Sequence, residues 1–142
     1  MAHEADPGVQ LEEHPGPYEA WPQSTRLLRD GVDTGARVHG YALLHQFAVP
    51  GGRFLLITDY QCPWEEETEV LLLDENLSLL SRMHFGLPWG FFSVVGATVV
   101  DQHTLDMTFS GRASWRVTMI GKRRWLFGSL LQARCLGREV CR

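Results

Sequence analysis

The sequence predicts an all-β fold of antiparallel strands. Three observations carry that prediction. Apolar and polar residues alternate with a period of two over much of the chain, as half-buried strands require. Turn-forming residues recur at intervals of roughly ten residues, the rhythm of hairpins. No segment offers the long helical crossover that parallel strands need. Together they imply a single-domain sandwich, barrel or twisted meander of about 7–9 strands over residues 25–142, with an irregular arm over residues 1–24.

The arm carries Pro7, Pro15, Pro17 and Pro22 and the acids Glu4, Asp6, Glu12, Glu13 and Glu19. Proline removes backbone donors and fixes φ, which disfavours regular structure there. Tyr18 and Trp21 are its natural anchors on the domain. Residues 23–30 read as one or two helical turns stopped at Gly31. From about residue 37, His39, Tyr41, Leu43, His45 and Phe47 fall on one strand face, with Gly40, Ala42, Leu44 and Gln46 on the other. Pro50-Gly51-Gly52 turns the chain into a second strand, Arg53 to Tyr60. After the polar loop Cys62 to Glu67, a short strand Glu69 to Leu73 turns at Asp74-Glu75-Asn76 into the alternation Leu77, Leu79, Ser81, Met83, Phe85.

The β-branched run Val94 to Val100 follows, turned by Asp101-Gln102. Leu105, Met107 and Phe109, then Trp115, Val117 and Met119, alternate with polar residues across a Ser110-Gly111 turn. This is the cleanest pattern in the chain and predicts a sheet with one wet face. Gly121-Lys122 marks another turn, Arg124 to Phe127 starts a further strand, and residues 129–136 fit either a last strand or a short helix.

With 142 residues the chain is long enough to bury a core without metal or disulfide staples. A hydrophobic fraction of 44% and a charged fraction of 21% exclude a disordered chain. No apolar run approaches the roughly 20 residues of a spanning helix, so no membrane role is expected. Cys62, Cys135 and Cys141 are too few for a disulfide framework and read as reduced thiols. With no secretory leader in evidence, they predict a cytoplasmic protein. The net charge is −4, but unevenly spread: residues 1–75 hold 14 acids and 4 bases, and residues 76–142 hold 3 acids and 9 bases. The total disfavours nucleic acid as a direct partner, and the asymmetry fits an internal charge match or an acidic face turned to a partner.

No catalytic motif stands out, so no enzyme activity and no cofactor are expected. His39 and His45 lie about 20 Å apart on one strand at ~3.3 Å per residue, too far to share a metal ion. Asp33-Thr34-Gly35-Ala36 matches the signature of retroviral-type aspartic proteases, but no apolar strand precedes it, and it reads as a turn. Cys62 sits beside glutamates, which raise a thiol pKa and blunt its reactivity. The segment that does stand out joins aromatic anchors to carboxylates: Asp59, Tyr60, Trp64, Glu65, Glu66, Glu67 and Glu69. Trp89, in the aromatic stretch Gly86 to Phe92, is a second candidate contact, and Arg112, Arg116, Arg123 and Arg124 are a candidate basic stripe.

A small, acidic, mostly β chain with the acidic-aromatic segment Tyr60 to Glu69 resembles the immunity proteins of bacterial toxin systems, including the contact-dependent inhibition type. The resemblance implies a non-enzymatic inhibitor of a cognate, basic toxin domain, with Trp64, Glu65, Glu66, Glu67 and Glu69 facing its lysines and arginines. One alternative is a small-molecule binder or enzyme built in a β-barrel lined by His39, Tyr41, His45 and Trp115. Another is a structural protein that oligomerises through a free sheet edge. The oligomeric state is left open.

Overall fold

A computed structural model describes the backbone of residues 3–4 and residues 8–60, 67–86, 94–109, 114–120 and 130–136. These contain twelve strands: β1 (His3–Glu4), β2 (Val9–Leu11), β3 (Ser24–Arg29), β4 (Val32–His39), β5 (Ala42–Val49), β6 (Arg53–Asp59), β7 (Thr68–Leu73), β8 (Leu79–Phe85), β9 (Val94–Asp101), β10 (Thr104–Phe109), β11 (Ser114–Met119) and β12 (Leu131–Cys135). One 3-10 turn, Tyr18–Ala20, is the only helical element among the described residues. The fold is all-β and antiparallel, as the alternation predicts, with more strands than the seven to nine expected.

The strands form three sheets. Sheet 1 is β2-β3-β4, sheet 2 is β1-β5-β6-β7-β8, and sheet 3 is β12-β11-β10-β9. Sheet 2 lies between the other two, and no sheet closes into a barrel. Its odd-numbered core residues Leu55 and Ile57, with Val70 and Leu72 opposite them, face Leu105, Met107, Phe109, Val117 and Met119 of sheet 3. Leu56, Leu71 and Leu73 point the other way, onto Val9, Leu27 and Val38 of sheet 1. This is why β7 is buried at every residue and reads as an unbroken apolar run from Val70 to Leu73: neither of its faces is wet, and even its first two residues, Thr68 and Glu69, are covered.

Four local expectations change. Residues 24–29 form a strand, where a short helix was expected, because Asp30 and Gly31 both take positive φ and close a two-residue hairpin onto β4. The single strand expected from residue 37 onward is two strands, broken at Gly40 and Tyr41. The arm is partly regular, since Val9–Leu11 pairs with β3. The segment 129–136 resolves to the strand β12. Cys135 is disulfide-bonded, not a reduced thiol. The two other cysteines, Cys62 and Cys141, lie outside the described residues.

Candidate functional site

At one end of the seam between sheets 1 and 2, the ends of β3, β4, β6, β7 and β8 come together. The acidic segment returns to the fold here. Along β7, Glu69 is in phase with Leu71 and Leu73, so its carboxylate enters the seam and is 2% exposed. Directly across the ladders stand Thr58 on β6 and His84 on β8. Arg82 Nε lies 3.2 Å from Glu69 Oε1, and His39 Nδ1 lies 3.9 Å from Oε2. Neither carboxylate oxygen has a well-formed hydrogen bond among the described residues.

Burial pushes the Glu69 carboxyl up to about 7, with the Arg82 charge pulling the other way and Glu67 adding to the rise. His39 is held below the usual histidine range, first by burial and then by the charges of Arg82 and His84. His84 Nε2 and Glu67 Oε2 are 3.6 Å apart at the rim. Main-chain contacts fasten the same seam: Arg82 Nη2 donates to Arg37 O at 2.6 Å, and Thr58 Oγ1 donates to His39 O at 3.0 Å.

The structure thus divides the residues singled out from sequence. Asp59, Tyr60 and Glu69 are buried, so they do not form the expected partner-facing surface. A carboxylate in phase with two core leucines is turned inward by strand geometry, however acidic its neighbours in sequence. Glu67 stays accessible, with its side chain 40% exposed. Trp64, Glu65, Glu66 and Trp89, with Arg112, Arg123 and Arg124, lie outside the described residues.

Beside this seam the arm builds an aromatic corner that the sequence reading saw only in part. Trp21 and Tyr41 meet edge to face, with ring centroids 5.0 Å apart. Tyr18 joins them at 5.4 Å from Trp21, and Tyr60 lies 5.1 Å from Tyr41. Trp21 Nε1 donates to Gly16 O at 3.1 Å, and the Tyr41 hydroxyl donates to Pro22 O at 2.8 Å. His14 packs 5.4 Å from Tyr41. The Thr25 hydroxyl spends its hydrogen on Gly40 O at 2.7 Å, so His14 Nε2, 2.9 Å away, is the donor to Thr25 Oγ1. Glu12 is paired with Arg26, whose hydrogen bond holds the carboxyl below the usual range. Leu11, Glu12, Glu13, His14, Trp21 and Tyr41 line a recess of about 270 Å³.

The alternative barrel lining does not assemble. His39 sits in the seam, Tyr41 in the arm corner, His45 stacks on Phe47, and Trp115 packs on Phe85 in the other core. Asp33 of the protease-like signature is an exposed strand residue forked by Arg37 at 3.0 and 3.1 Å. On the outer face of sheet 3, Arg116 forks onto Asp106 at 2.8 and 2.9 Å and borders a recess of about 210 Å³ with Arg134. Among the described residues no group of three or more His, Cys, Asp or Glu converges on a metal-sized point, and no helix is long and apolar enough to cross a membrane.

No family model, curated protein or solved structure matches the chain.

Proposed function

We propose that this chain is a non-enzymatic protein-binding module of the immunity-protein type, which engages a basic toxin domain through its arm corner. The observation that carries the reading is a half-buried aromatic cluster, Tyr18, Trp21 and Tyr41, set beside exposed carboxylates of Glu13 and Glu19. Trp and Tyr anchors that are already held in place bind with little further loss of freedom. Carboxylates around them draw a basic partner and fix its approach. The docking surface therefore moves from the Tyr60 to Glu69 loop to residues 13–21, with Glu67 kept on its border. Contact with nucleic acid or membrane is no part of this reading. The cytoplasmic setting expected from reduced thiols loses its support, since the disulfide at Cys135 weighs toward an oxidising compartment.

The test is capture of partners from source cells at low and high salt by the tagged wild type. A Trp21→Ala variant and a Glu13→Lys/Glu19→Lys double variant are run beside it. A basic protein held by the wild type at low salt and lost from both variants is the expected result. A partner bound equally by all three, or no partner at either salt, overturns the proposal.

A further inference from the structure

We infer that the recess between the arm and Tyr41 is a receptor for a single arginine side chain presented by the partner, an inference that rests on the protein-binding reading above. Its walls are aromatic and fixed. Trp21 is tied through its indole N–H to Gly16 O, and Tyr41 through its hydroxyl to Pro22 O. Both polar handles are spent on the backbone, and the two rings meet edge to face at 83° with His14 packed against each, so the aromatic part of the lining is Trp21, Tyr41 and His14. Such walls attract a cation through the ring quadrupole, most strongly at tryptophan.

The carboxylates decide the sign and the shape. Glu12 is committed to Arg26. Glu13 also lines the recess, is exposed, and has no ion-pair partner among the described residues. Among the described residues the cavity therefore offers one carboxylate without an ion pair, beside the rings of Trp21 and Tyr41, with Leu11 to cover an aliphatic stem. An ammonium satisfies the charge alone. A planar guanidinium also stacks on a ring while forking onto a carboxylate, so arginine uses both features at once. A volume of about 270 Å³ admits such a side chain and no folded element.

The inference is tested without the partner, by following backbone amide shifts of the full chain during titration with N-acetyl-arginine amide. N-acetyl-citrulline amide, the same shape without the charge, and N-acetyl-lysine amide are the comparisons. Arginine is expected to give saturating shifts confined to residues 11–14, 21 and 41. Lysine should bind about fivefold more weakly and citrulline without saturation. Glu13→Gln, an exposed change that leaves the core untouched, should weaken the arginine probe about threefold. Citrulline shifts equal to those of arginine, non-saturating shifts, or indifference to Glu13→Gln overturn the inference. The two proposals fail separately. A saturating arginine probe with no captured protein leaves the receptor standing without the module. A captured protein that needs Glu13 and Glu19, with no saturating probe, does the reverse.

Discussion

The two faces of sheet 2 are built to different rules. Toward sheet 3, Phe47, Leu55, Ile57, Val70, Leu72 and Phe85 meet Leu105, Met107, Phe109, Val117 and Met119, an apolar contact along its length. Toward sheet 1, Leu56, Leu71 and Leu73 meet Val9, Leu27 and Val38, but the rows run on into Thr58, Glu69 and Thr25. One face can only hold the fold together. The other holds it and also carries a proton-sensitive group into its seam. The adjoining arm corner, with its aromatic rings, lies on the second side. The difference is between an apolar face that serves stability and a mixed face that carries a titrating carboxylate, and strands β6 and β7 belong to both; on the reading proposed above, recognition belongs to the second side.

The contrast can be broken first at the shared strands. Leu72→Ala should cost roughly 2–5 kcal/mol and Leu71→Ala a similar or smaller amount, because each deletes fully buried methyl groups on opposite faces of β7. Urea unfolding measures both. The second break is specific to the polar seam. Glu69 titrates at about 7 in the fold, above its ordinary 4.5, so its protonated form is favoured by folding. Its contribution is therefore fully present below about pH 4.5 and is lost as pH rises through 7, a loss on the order of 3 kcal/mol. Unfolding free energies of wild type and Glu69→Gln across pH 4 to 8 should diverge over that window, the variant lacking the decline. His39 acts oppositely, since its lowered pKa makes acid the unfavourable side. Parallel pH profiles would show that the two faces are alike after all.

A third change sharpens the geometry. Gly40 has φ +130°, and a Cβ there would stand 2.8 Å from Asp59 O. Gly40→Ala should cost about 1–3 kcal/mol by forcing β4 away from β6, read as a lower melting temperature. The smallest effect on stability belongs to the corner. Trp21→Ala removes one edge-to-face pair, with Tyr41, worth about 0.5–1.5 kcal/mol, and a tilted contact with Tyr18, and calorimetry should show a modest shift while partner capture is lost.

Where one face of a strand is wet, its position was legible in the sequence. Leu105, Met107 and Phe109 alternate with Thr104, Asp106 and Thr108 because water lies on the second face, and the structure buries the first set. In β7 both faces are dry, so alternation vanishes and only a strand of unknown surroundings could be read. In residues 24–29 the adjacent Leu27 and Leu28 break the period of two, while Asp30-Gly31 is a strong hairpin signal in its own right. Glu69 stands in an acidic stretch of the sequence. Its two-residue spacing from Leu71 and Leu73 is the sequence feature that turns it inward, against the polarity of its acidic neighbours. Tyr18 and Trp21 were legible as anchors, but their contact with Tyr41 joins residues about 20 apart in sequence and needs the fold to bring it about.

The sheet order has a consequence for how the chain is made. Apart from the β1–β5 pair, every pairing among the described strands joins strands consecutive in sequence, so each meander can form as soon as its own residues leave the ribosome. The inward face of sheet 2 is complete once Phe85 has been added, yet its cover, Leu105 to Leu131, is synthesised afterwards. During that interval Ile57, Val70 and Leu72 stand open to water. Chains that stop short of β10 should therefore be aggregation-prone though two of their three sheets can form.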